Sequence, residues 1–145
     1  MTFLFDVNVL IALIDPAHVA HEDAHRWFQS TGHLSWATCP ITENGVIRIL
    51  SNPKYPNSPG SPAVVAQIVG KLHALAGHQF WADDISLVNF SDIDASRILT
   101  SAQVTDSYLL GLAKARGGKL ATFDRKLSTA AVNGGNTILH LIPSE

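Results

Sequence analysis

The chain is poor in several things that narrow its class. It holds a single cysteine, Cys39, so no disulfide can form within it, and it reads as a protein of a reducing compartment. Cys39 precedes Pro40 in apolar surroundings and suits a small core residue. No uninterrupted apolar run approaches the ~18 residues of a membrane span. The first residues lack a basic stretch and reach Asp6 at once, which is unlike a secretory signal and favours the cytoplasm. Charge is scarce too. Asp, Glu, Lys and Arg make up 15% of the 145 residues, below the ~25% of ordinary domains, while 46% are hydrophobic. That balance suits one domain, residues 1–145, with a full core and apolar surface left for a partner. The net charge of −2 excludes a protein that holds nucleic acid by bulk charge alone.

Period and punctuation place the elements. Residues 2–6 read as a buried strand, followed by a helix from Val7 to Ile14 that stops at Asp15-Pro16. A second helix covers His18–Ser30, and residues 34–38 form strand two. Pro40 opens a helix whose apolar face includes Ile41, Val46, Ile49 and Leu50. Ser51–Pro62 is a loop, and Pro62–Ala76 is an amphipathic helix. The apolar run Ile85–Phe90 reads as strand three, and Asp94–Leu99 as a short helix. Thr105 is the expected N-cap of a helix to Ala115, which Gly117-Gly118 stops. Lys119–Phe123 is strand four, Leu127–Val132 a short helix, and Thr137–Ile142 strand five. Alternating strands and helices predict an α/β fold, with a mostly parallel sheet of about five strands flanked by helices in three layers.

Four acids stand at strand-to-helix junctions or in first helical turns: Asp6, Glu43, Asp106 and Asp124. In parallel sheets such positions converge on the rim beyond the carboxyl ends of the strands. No Lys or Arg adjoins the first three. Buried carboxylates without cationic partners are costly, and a hard divalent cation is the usual remedy. Each acid taken singly also suits a helix cap or a dipole partner. Their shared edge favours a metal site.

The segments Phe5-Asp6-Val7-Asn8-Val9-Leu10, Thr38-Cys39-Pro40-Ile41-Thr42-Glu43-Asn44, Val104-Thr105-Asp106-Ser107-Tyr108-Leu109 and Leu120-Ala121-Thr122-Phe123-Asp124 occur in that order. Together they resemble the PIN-domain ribonucleases, and among them the VapC toxins of bacterial toxin–antitoxin pairs, over essentially the whole chain. The resemblance implies a PIN-like fold and an endoribonuclease that hydrolyses RNA phosphodiesters with Mg²⁺ or Mn²⁺ and leaves a 5′-phosphate. It implies that Asp6, Glu43, Asp106 and Asp124 hold the metal, with Asn8 orienting the first acid and Thr122 supplying a hydroxyl beside the last. It also implies a cognate VapB-type antitoxin and homodimers.

Basic residues Lys114, Arg116, Lys119, Arg125 and Lys126 cluster in one stretch and offer a phosphate track, with Arg48, Lys54 and Tyr55 as further contacts. Trp36 and Trp81 suit core packing better than base stacking. Asp83-Asp84 and Asp92 to Asp94 read as loop and cap residues, and His33, His73, His78 and His140 as ordinary ones.

Three rival readings compete. His21-Glu22-Asp23-Ala24-His25 matches the H-E-x-x-H signature of zinc peptidases, but no third ligand is placed, and with His18 nearby a surface histidine cluster is the better reading. A non-catalytic binding module on the same fold would have no need of the acid set. A phosphoacceptor receiver domain needs a tight acid pair beside its first strand, and only Asp6 is there.

Overall fold

A computed structural model describes all 145 residues. Five parallel strands form one sheet: β1 (Phe3–Phe5), β2 (Trp36–Thr38), β3 (His78–Phe80), β4 (Lys119–Thr122) and β5 (Leu139–Leu141), in the spatial order β3-β2-β1-β4-β5. Phe3 of β1 lies opposite Trp36 on one side and Lys119 on the other, so the first strand is central. Six α-helices accompany the sheet: α1 (Val7–Ile14), α2 (His21–Ser30), α3 (Pro40–Leu50), α4 (Pro62–His73), α5 (Val104–Ala115) and the single turn α6 (Gly135–Ile138).

The period-2 alternation of β1 divides the core. Phe3 and Phe5 face a cluster with Trp36 of β2 and with Val9, Leu10, Trp27, Val46, Leu50, Val65 and Val69 of α1 to α4. Leu4 faces the opposite cluster, with Leu109, Leu110, Leu112 and Ala113 of α5, Trp81 and Leu120. A strand covered on both faces needs a continuous apolar run, which is what the first residues supply. Trp36 is fully buried and stacks on Phe5 at 4.8 Å between centroids, and Trp81 is buried with its indole N–H on Gln79. Both tryptophans are core residues, as is buried Cys39.

Three expectations need correction. Ile85–Phe90 is not a strand: Ile85, Leu87 and Phe90 pack on the second cluster from an irregular segment. The third strand is instead His78–Phe80, a half-exposed edge strand. Leu127–Val132 is an irregular segment in place of a helix, with Leu127, Ala131 and Val132 tucked inward and Val132 bridged to Ile93. Thr105 does not cap α5. A 3₁₀ turn at Ser101–Gln103 runs straight into the helix, whose N-cap position is Gln103. Asp106 keeps its place in the first turn.

Candidate metal and active site

Asp6 ends β1 and caps α1: its Oδ1 accepts the Val7 N–H at 2.7 Å. Its Oδ2 accepts the Thr122 hydroxyl at 2.8 Å, across the β1–β4 pairing. Thr122 in turn receives the Asn8 amide at 3.2 Å and the Asp124 N–H at 3.1 Å. Asn8 and Thr122 thus orient Asp6 and the turn that carries Asp124. Asp124 does not cap a helix, since none follows, and its Oδ1 accepts the Lys126 N–H in a tight turn.

Asp6 is 7% exposed, and burial raises its pKa above the ordinary carboxylate range. The bonds from Thr122 and Val7 oppose this rise, and the charge of Asp124 adds to it. Asp106, at the start of α5, is pushed up to about 6, first by desolvation and then by the charges of Asp6 and Asp124. Three acids from three elements therefore share one electrostatic field. Asp6 and Asp106 border an open cleft of about 530 Å³ between α3 and α5, where Arg48 is the one cation in the wall.

Glu43 lies elsewhere. Its Oε2 accepts the hydroxyl of Thr38, fully buried at the end of β2, at 2.9 Å. The same oxygen stands 3.0 Å from His73 Nε2. His73 and His78 stack at 4.1 Å between centroids, and both reach the Thr38 hydroxyl. The two histidines, unremarkable by sequence spacing, thus surround one of the four acids. Asn44, the next residue, lines the cleft in place of Glu43.

Asp83 lines the cleft as well, and sequence spacing passed it over as a loop and cap residue. It does act as a cap, accepting the Ile41 N–H at the start of α3 at 3.1 Å. It also accepts the Tyr108 hydroxyl of α5 at 3.2 Å, so it ties together the two walls of the cleft. Gly45 allows α3 to approach: a Cβ there would meet Val7 Cγ2, beside Asp6, at 2.9 Å.

The basic residues separate. Lys114 Nζ bonds Asp92 and the Asn133 carbonyl, and Arg116 bonds Asp84 over the Trp81 ring. Both sit at the far end of α5 from Asp106, roughly 12–15 Å along a helix that rises 1.5 Å per residue. Lys119 begins β4 opposite Phe3, at the end of the sheet away from Asp6. These three do not border the acid cleft. Arg48 lines it, and Arg125 and Lys126 directly follow Asp124.

His21 and His25 are engaged in structural hydrogen bonds. His21 Nδ1 donates to the Ala12 carbonyl at 2.7 Å, and His25 Nε2 to the Leu13 carbonyl at 2.8 Å. They satisfy the open carbonyls at the end of α1. His18 accepts the Ala20 N–H.

As they lie, no three His, Cys, Asp or Glu side chains form a ready cage for an ion. Mg²⁺ asks for less: one or two carboxylates and several waters. The fit rests on Asp6 and Asp106, desolvated, mutually repelling and paired with no cation.

The acidic cleft lies at the carboxyl ends of the strands of an all-parallel sheet, where open α/β folds bind their ligands. The chain belongs to the PIN domain family, whose pattern matches residues 3–133. Its relatives in Mycobacterium tuberculosis include Ribonuclease VapC44, 42% identical over 92% of this chain and 94% of that protein. Ribonuclease VapC39 of the same organism is 44% identical over 92% of this chain and 96% of that protein. Among solved structures, FitAB bound to an IR36 DNA fragment matches in fold with a TM-score of 0.63, at 19% identity over 96% of this chain and 94% of that one. No helix is long and apolar enough to cross a membrane.

Proposed function

We propose that the chain is an Mg²⁺- or Mn²⁺-dependent endoribonuclease, one PIN-like unit over residues 1–145, and the toxin of a VapBC-type toxin–antitoxin pair. The observation that carries this is the pair Asp6 and Asp106 on one cleft, with the charge of Asp124 acting on both and no balancing Lys or Arg among the charges acting on Asp106. Kinship to proteins named ribonucleases over nearly their whole length supports the reaction class.

In this reading Asp6, Asp106 and Asp124 hold the metal, and Glu43 joins them when it leaves Thr38 and His73. A bound divalent ion supplies an activated water and offsets charge on the scissile phosphate. Thr122, itself bonded by Asn8, holds the Asp6 carboxylate at the cleft before substrate arrives. Arg48 in the cleft wall meets a phosphate oxygen. Arg125 and Lys126 supply further phosphate contacts on the Asp124 side. The partners are single RNA strands, a VapB-type antitoxin that blocks the cleft, and a second copy of the chain.

The test uses purified, antitoxin-free protein, total cellular RNA, Mg²⁺ or Mn²⁺, and an Asp6→Asn variant alongside. Discrete metal-dependent fragments that vanish in the variant are expected. Folded protein that cuts no RNA in any metal would leave a binding module on the same fold.

A further inference from the structure

The groove does not end at Arg48. Arg48 and Ile49 line both the acid cleft and a second hollow of about 260 Å³ that continues to Asn52, Lys54 and Tyr55. The two parts have opposite character. The cleft carries Asp6, Asp83 and Asp106 against one cation, whereas the second hollow carries Arg48 and Lys54 and no acid. Neither cation is in an ion pair, unlike Arg26, Arg97, Lys114 and Arg116. From Asn44, beside the acids, to Leu50, at the end of α3, the path is about 9 Å along the helix.

The segment that carries Lys54 is held in place. The Lys54 N–H bonds Asn52 Oδ1 at 2.9 Å, and the Ser58 hydroxyl bonds the Leu50 carbonyl at 2.6 Å. The Tyr55 hydroxyl donates to Asp15, which also accepts the Asn57 amide at 2.7 Å. Asp15 is buried at the end of α1, so the turn is anchored to the core. A cation presented on a fixed turn loses less freedom on meeting a phosphate than one on a loose loop.

Charge orders the two parts. Unscreened carboxylates in the cleft repel a phosphate, and the Arg48–Lys54 end attracts one. We propose that the second hollow is a subsite for the phosphodiester backbone of single-stranded RNA, which leaves the acid cleft along α3 with one phosphate at Arg48 and a later one at Lys54. The identity of the ligand rests on the nuclease reading. A lone strand suits the path because its scissile phosphate must reach Asp6 in the cleft between α3 and α5 and its backbone then follows α3 past Arg48.

Binding is measured on the full-length Asp6→Asn protein, so that cutting does not interfere. The probe is a labelled oligouridylate, titrated over a series of salt concentrations. Lys54→Ala is expected to weaken binding several-fold and to flatten the plot of log Kd against log salt by about 0.7, the loss of one single-strand phosphate contact. Arg48→Ala should do the same. Lys71→Ala, which removes an exposed cation of α4 outside both hollows, should leave the slope alone. Duplex RNA of equal length should bind more weakly.

An unchanged slope in Lys54→Ala overturns the subsite, as does equal affinity for duplex. So does poly-glutamate binding with the same Lys54 dependence, which assigns the hollow to an acidic protein segment. The two readings fail separately. Wild-type protein that cuts RNA while Lys54→Ala matches it in KM and Kd sinks the subsite alone. Lys54-dependent binding without any cutting by wild-type protein sinks the nuclease alone.

Discussion

Glu43 and His73 face one another at 3.0 Å between Oε2 and Nε2, and Thr38 stands between them and His78 as a shared hydroxyl partner. Thr38 is fully buried, so valine of the same shape would strip a donor from Glu43 and leave polar atoms short of partners. Thr38→Val should destabilise the fold by about 1–3 kcal/mol, read as a lower urea midpoint at unchanged slope. An unchanged midpoint would mean that water takes over the hydroxyl's role.

The acids impose a pH dependence on the metal-free protein. Folding raises Asp106 from 3.8 to about 6, so the folded chain binds more protons than the unfolded one between those values. The contribution of this group to stability is full below about 3.8 and is lost as pH rises through about 6. Asp106→Asn should therefore stabilise the metal-free protein at pH 8. Discounted for the partial exposure of the side chain, the gain is on the order of 1 kcal/mol, or about 2–4 °C in Tm. Added Mg²⁺ or Mn²⁺ should raise the Tm of the wild type more than that of the variant. Equal rises would place the ion away from Asp106.

Asp83 can be split into charge and hydrogen bonding. Asparagine can still accept the Ile41 N–H and can donate to the Tyr108 oxygen, so Asp83→Asn should keep both fold and RNA cleavage. Asp83→Ala leaves both groups unpaired and should lower stability by about 1–3 kcal/mol. Denaturation and cleavage rates on the two variants decide the matter. An Asp83→Asn protein that folds normally but no longer cuts would place the Asp83 charge within the acid set.

His21→Ala with His25→Ala removes two bonds to the end of α1. The expected loss is about 0.5–1.5 kcal/mol for each bond, with RNA cleavage per folded molecule retained. Metal analysis of the wild type should find no stoichiometric zinc. Lost cleavage in a folded double variant would return these histidines to the site.

The sequence disclosed those elements whose local pattern and tertiary role agree. The run Phe3-Leu4-Phe5 is apolar on both faces because its strand is covered on both. Strand β3 was illegible for the opposite reason: His78-Gln79-Phe80 is an edge, half exposed, and pairs only with β2. The apolar run at Ile85–Phe90 looked more like a strand because it covers the core without pairing. In the site, the rim positions of Asp6, Asp106 and Asp124 followed from chain order along the sheet. The rotation of Glu43 did not. It depends on His73 and His78, which sit far along the chain and carry no spacing signal. The basic stretch misled because its cations near residue 115 lie at the wrong end of α5.

The hydrogen bond from Thr122 to Asp6 joins residues 116 positions apart. A chain growing on the ribosome makes Asp6 first and must wait for β4 before its carboxylate is oriented and Asp124 exists at all. Until β4 has been made, the Asp6 carboxylate lacks the hydroxyl that orients it, however early β1 and α1 take shape.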